Sequence, residues 1–279
     1  MLAYITLLST ESYVPGVLAL HEALRRTHTA QPFVTAISAH LPHHIDQTLE
    51  RAGVLVRRIP ESVAIPKEMI EGNGHWGHTF DKIHLFSLTE FEKLVYVDAD
   101  MIVLSNMDEL FGKPHMSAVP AGQLVHPTWN RLNGGLLVIE PTEGLADGIF
   151  ATLPQAIKET TILGQKALGD QDLLNAYYPN WQDMPELSLH HGYNMLQCYL
   201  DVHLKDHGYC LPHHAAAGAG STGKPIKIVH FIGPRKPWMK GSTIRQYKRA
   251  LQCGSAGKWE NKLFFEYQKL IKDSQAQTR

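Results

Sequence analysis

Short β-branched runs alternate with helical periodicity along this chain, and that alternation constrains the fold more than any other feature. Residues 4–8, 33–37, 54–59 and 94–97 are apolar and of strand length, and 136–139 and 226–231 repeat the pattern later. Between the first two runs, Val17, Leu18, Leu20, His21 and Leu24 fall on one face of a helix. Residues 46–52 suit a second helix and 79–88 a third. Successive strands joined through helices pair in parallel, so an α/β fold is expected, with a single, mainly parallel, twisted sheet flanked by helices. Ligands of such sheets bind beyond the carboxyl ends of the strands. The residues that follow each strand are therefore the ones to search for chemistry.

The fourth run ends in two carboxylates. Residues 93–104 read Lys-Leu-Val-Tyr-Val-Asp-Ala-Asp-Met-Ile-Val-Leu. If strand geometry persists to Asp100, side chains two apart share a face, and Asp98 and Asp100 converge across Ala99. Two close carboxylates repel, and a divalent cation relieves that repulsion. An isolated Asp-x-Asp pair is more often a pair of turn caps. Its surroundings argue otherwise here.

A strand over residues 226–231 delivers His230 at its end, Gly233 lets a ligand approach the backbone, and Lys236 can meet negative charge. Imidazole with two carboxylates is a mixed N/O ligand set that suits manganese. Together with the lysine, the set reads as a site for a metal and a diphosphate. Asn133, Gly134 and Gly135 open another strand, where the glycines allow close backbone approach and the amide can bond hydroxyls. Asp170 and Gln171 precede a helix that starts near Leu173, with Asp170 a candidate N-cap. Residues 218–224 match two glycine-rich phosphate signatures formally, but no strand precedes them and a strand follows, so a plain loop is expected. His43/His44, His75/His78, His190/His191 and His213/His214 show no carboxylates at ligand spacing and read as surface or loop residues.

Bulk properties exclude several classes. With 26 basic and 27 acidic residues the net charge is −1, so no overall field draws the chain to nucleic acid or an anionic membrane. No run approaches the length of a membrane span, and Met1–Ser9 lacks the basic start of a signal peptide. Three cysteines without Cys-x-x-Cys spacing fit no disulfide framework. A cytoplasmic, globular protein is expected.

Taken in order, Tyr4-Ile-Thr-Leu-Leu-Ser-Thr with Tyr13, Thr79-Phe-Asp-Lys-Ile-His, Tyr96-Val-Asp-Ala-Asp, Asn133-Gly-Gly, Gly169-Asp-Gln and His230-Phe-Ile-Gly-Pro-Arg-Lys-Pro-Trp form one pattern. It resembles glycosyltransferase family 8, and within it the glycogenin-like branch, over roughly residues 3–240. The resemblance implies a GT-A fold, assigned to residues 1–250; in 251–279, Leu263, Tyr267, Leu270 and Ile271 share one helical face, so a helical extension that packs on the domain is expected. It implies a retaining hexose transfer, with a UDP-sugar as donor and Mn2+ as cofactor, Mg2+ being a substitute. By resemblance, Asp98, Asp100 and His230 hold the metal, and Gly233 and Lys236 meet the diphosphate. Leu7, Ser9 and Tyr13 form the uridine wall, and Ala99 lies between the ligands. Lys82, Asn133, Gly134, Asp170 and Gln171 fall where the family contacts the donor sugar, with Lys82, Asp170 and Gln171 as catalytic candidates.

Two departures bear on the acceptor. Glycogenin-like proteins glucosylate a tyrosine of their own chain, but here that position falls at or near Asp201, with Tyr199 two residues earlier. An acidic residue of the acceptor-side loop corresponds to Ala167. A separate glycan, glycoprotein or polyol acceptor is therefore expected, with UDP-glucose or UDP-galactose as donor. A homodimer is compatible with this reading; nucleic acid and a membrane span are not expected.

Overall fold

The computed structural model describes residues 1–61, 65, 69, 74–162, 164, 167–212, 223–233, 236–253 and 257–277. Most of the 218–224 loop, His213, His214 and the side chain of His75 lie outside the described residues.

Strands β1 (Leu2–Leu8), β2 (Phe33–Ser38), β3 (Leu55–Ile59) and β4 (Lys93–Val97) pair in parallel, in the order β3-β2-β1-β4. β7 (Leu132–Ile139) and β6 (Ala118–Pro120) extend the β4 edge antiparallel, completing six strands. The chain thus runs outward from β1 through β2 and β3, then returns to place β4 on the other side of β1. Between β1 and β4 lies a topological switch point, where crossovers diverge and leave a crevice at the carboxyl ends.

Side-chain alternation fills both faces of the sheet. Tyr4, Leu8, Val95 and Val97 face α1 (Val14–Arg26) and the C-terminal helix Lys258–Gln277. Ala3, Ile5, Leu94 and Tyr96 face Phe80, Ile83 and Phe86. Helix α1 opens with proline in its first turn and closes with Arg25 and Arg26, both paired to Glu22. The C-terminal helix is anchored deep in the fold, where the Tyr267 hydroxyl donates to the Ala99 carbonyl at 3.0 Å.

The helix expected over 79–88 is instead a 3-10 segment, Gly74–Ser87. Phe80, Ile83 and Phe86, all fully buried, are spaced by three. A three-residue turn brings every third side chain onto one line, so this spacing favours the tighter helix. The stretch from 112 to 131, which carries no strand or helix periodicity, holds β6. That from 179 to 224 holds β8 (Met195–Leu196), β9 (Tyr209–Cys210) and the helix Leu200–Asp206. The last expected strand is Ile228–His230 and lies outside the main sheet. It pairs antiparallel to β5 (Met101–Val103) and parallel to β8 in a small three-stranded sheet. Among the described residues no helix is long and apolar enough to cross a membrane.

Candidate active site

A cavity of about 350 Å³ opens at the β1/β4 switch point, within the usual size range for small-molecule sites. Leu7, Ser9 and Tyr13, just past β1, form one wall. Asp98, Ala99 and Asp100, just past β4, form the floor; Lys82 and Asp170 close one end, Gly233 and Lys236 the other. Ten of the sequence-predicted residues thus line one space. Asn133, Gly134, Gln171 and His230 stand behind it.

Asp98 and Asp100 meet by a different route from strand alternation. β4 ends at Val97, and a turn closed by Met101 N–H to Asp98 O at 3.2 Å reverses the chain into β5. The turn, not the pleat, points both carboxylates at His230. Nε2 of His230 lies 3.1 Å from Asp100 Oδ1 and 3.7 Å from Asp98 Oδ2. One ligand atom from each residue falls within 4.8 Å of the others. Asp100 Oδ1 is buried, and despite that proximity it has no hydrogen bond of acceptable geometry. A buried carboxylate oxygen without a bond is costly. A cation between these three groups would satisfy it, so the residues present fit a divalent metal with mixed N/O ligands.

The tautomer of His230 follows from a chain of hydrogen bonds that starts at the backbone. Gly135 N–H can only donate, and it donates to Asn133 Oδ1 at 2.9 Å. The same oxygen accepts from Asn194 Nδ2 at 2.7 Å, so Asn194 turns its own oxygen to His230 Nδ1, 3.0 Å away. Nδ1 therefore carries the proton, and the Nε2 lone pair faces the carboxylates. Gly135 must be glycine: a Cβ would stand 2.8 Å from the His230 ring and 2.7 Å from Met101.

Two buried lysines flank the carboxylates. Lys236 Nζ lies 2.5 Å from Asp100 Oδ2 and donates to Phe231 O at 3.1 Å. Lys82 Nζ lies 2.5 Å from Asp170 Oδ2 and 3.4 Å from Asp98 Oδ1, and donates to Gly134 O at 3.0 Å. Burial would push Asp100 up, but the His230 imidazole when protonated and the Lys236 cation outweigh it and hold its carboxyl well below the usual range. For Asp98 burial wins, aided by Asp100 and opposed by Lys82, and its carboxyl is raised. Burial would lower Lys82, yet Asp170 and Asp98 raise it, so it stays a cation.

Asp170 does not cap its helix. Gly169 is the N-cap of Asp170–Tyr177, and the carboxylate that bonds the Gly169 N–H is that of Asp172. Asp170 is left free to meet Lys82, while Gln171 Oε1 accepts from Gly134 N–H at 3.0 Å. Tyr13 packs edge-to-face on Trp238, 5.3 Å between centroids, and the indole N–H donates to Ser12 O at 2.8 Å.

Sequence reasoning missed Asn194 and Tyr96. The Tyr96 hydroxyl donates to Asp98, and Tyr96 stands two residues before it; that spacing was the available signal. Two histidine assignments also change. His191 is buried, not a surface residue. His78 lies within ligand reach of His40 and Asp81, because the 3-10 segment carries it against the loop after β2.

The fold is of the GT-A type. In solved structures the fold recurs in the galactosyltransferase LgtC in complex with donor and acceptor sugar analogs, with a TM-score of 0.62 at 14% identity over 98% of this chain and 96% of that one. It recurs in the glycosyltransferase GlyE of Streptococcus pneumoniae TIGR4, with a TM-score of 0.58 at 16% identity over 98% and 63%. The chain belongs to glycosyltransferase family 8, whose model matches residues 4–241, and to its glycogenin-like branch. It is 29% identical over 258 residues to glycogenin-1 of Mus musculus, covering 91% of this chain and 69% of that protein. It is 32% identical over 245 residues to glycogenin-1 of Caenorhabditis elegans (87% and 52%). To inositol phosphorylceramide glucuronosyltransferase 1 of Arabidopsis thaliana it is 27% identical over 246 residues (85% and 42%). The chain thus spans between 42% and 69% of the length of these relatives.

Proposed function

We propose that this chain moves a hexose, glucose or galactose, from a UDP-sugar to a hydroxyl of a separate glycan, glycoprotein or polyol, with retention at the anomeric carbon. One observation carries the reading. Asp98, Asp100 and His230 converge within 4.8 Å on the floor of a switch-point cavity, and one carboxylate oxygen there is buried without a bond. Asp98, Asp100 and His230 would hold Mn2+, or Mg2+ in its place, and the cation when bound would neutralise charge on the diphosphate leaving group.

The protein's own residues would do the rest. Leu7, Ser9 and Tyr13 give uridine an apolar, aromatic wall. Gly233, at φ +95 with open space around it, brings backbone close to a diphosphate, and the Lys236 cation adds a fixed countercharge. At the far end Lys82, Asp170 and Gly134 form one bonded unit with Gln171, a rigid polar frame for the sugar hydroxyls. The Asp170 carboxylate there is suited to stabilise an oxocarbenium-like centre.

The test is a UDP-sugar panel with Mn2+, read as UDP release, with a glycan library added and the intact mass of the protein followed. UDP release with sugar on an added acceptor and no mass gain is expected. Mass rising in hexose steps would favour a self-glucosylating primer. No UDP release with any donor and acceptor would favour a binding module without turnover.

A further inference from the structure

Trp129 is 48% exposed, although a large aromatic side chain ordinarily finds cover. Its position is built, not incidental. After β6, Val125 N–H and His126 N–H bond Gly122 O at 3.0 and 2.9 Å, and Trp129 N–H bonds His126 O at 2.8 Å. These turns bring His126 and Trp129 to the same side, with ring centroids 4.1 Å apart. Gly122, at φ +120, lets the backbone run beneath the indole; a Cβ there would already touch the ring at 3.4 Å.

The ledge leads to the donor cavity. His126 Nε2 and the Tyr199 hydroxyl pair at 3.0 Å. Tyr199 lines a small cleft with Gly122, Asn133 and Asn194. Asn133 precedes Gly134, whose carbonyl accepts from Lys82 at the sugar end of the cavity. An exposed indole, an imidazole and a phenol thus form one surface that ends where transfer would occur.

This surface suits one class of ligand. A pyranose presents a face of C–H bonds carrying slight positive charge, with hydroxyls around its rim. An aromatic ring presents a negative face to such a partner. The adjoining Asn133 Nδ2 and the Tyr199 hydroxyl supply rim partners. We propose that Trp129, supported by His126 and Tyr199, is the acceptor subsite and stacks on a pyranose ring of the acceptor glycan. The inference rests on the transferase reading and deepens it by choosing a glycan over an acyclic polyol. Tyr199 then positions His126 and does not receive the sugar.

The test is binding of the protein to a printed glycan array with UDP and Mn2+ present, beside calorimetric UDP affinity. Wild type should bind pyranose-terminated glycans, Trp129→Ala should lose at least tenfold, and Trp129→Phe should keep most of the signal. UDP affinity should be the same in all three. Full array binding by Trp129→Ala, or no array binding by a wild type that binds UDP, would overturn the subsite. Absence of UDP binding by the wild type would instead contradict the transferase reading.

Discussion

Asn194 Oδ1 lies 3.0 Å from His230 Nδ1 and accepts the hydrogen bond from its N–H, leaving Nε2 turned toward Asp98 and Asp100. Outer partners of this kind fix ring orientation and raise ligand basicity. Asn194→Ala is expected to weaken Mn2+ binding about tenfold to a hundredfold, the range for such partners. Titrating Mn2+ and reading the free ion by electron paramagnetic resonance checks this. Unchanged affinity would mean that His230 needs no such support.

Lys82 and Asp170 form a buried pair at 2.5 Å that Asp98 shares. Removing the cation alone leaves carboxylates facing each other, and Lys82→Met should cost about 3–5 kcal/mol in urea unfolding. The Lys82→Met/Asp170→Leu double variant should lose less than the sum of the singles, by about 1 kcal/mol or more. Strict additivity would show that the pair is energetically inert.

Gly16 lies in helix α1, away from the ligand atoms, yet a Cβ there would stand 2.5 Å from the Ala99 carbonyl and 2.6 Å from the Trp238 ring. The backbone between the two aspartates would have to shift. Gly16→Ala should destabilise the fold by about 1–3 kcal/mol, as overpacking does, and also weaken Mn2+ binding. Stability loss with intact cation affinity would separate the helix from the turn.

Burial, reinforced by His203 and His190, holds the His191 imidazole down to about 4. Unfolded histidine titrates near about 6.5, so between those values the unfolded chain binds the extra proton. Stability from this group is whole above about pH 6.5 and falls as pH drops toward about 4, by about 3 kcal/mol. Urea unfolding of wild type and His191→Leu across that window should show a shallower fall in the variant. Equal slopes would remove His191 as a source of acid sensitivity.

The parallel half of the sheet, and the crevice it creates, were legible because β1 to β4 carry apolar runs separated by helical spacing. Asp98, Asp100, His230 and Lys236 were legible because His230 ends a strand and the others follow one. Lys82 was legible only through the family resemblance: its placement comes from a 3-10 segment that carries it under Tyr96 and against Asp170, and a lone lysine advertises none of this. Asn194 was hidden for a related reason, since its orientation is dictated by the Gly135 N–H through the Asn133 side chain. The convergence of the two aspartates was foreseen, but the alternation offered as its cause was replaced by a turn. Trp129 sits in a stretch without periodicity, where side-chain placement depends on turn geometry that sequence pattern does not report.

Calorimetric titration of UDP with and without Mn2+, in wild type and Asp100→Asn, tests the central claim most directly. Asp100 is the group on which the Lys236 cation and His230 meet. Wild type should bind UDP far more tightly when Mn2+ is present, and Asp100→Asn should lose that enhancement while melting cooperatively. UDP binding indifferent to Mn2+ in the wild type, or an enhancement preserved in Asp100→Asn, would contradict the account.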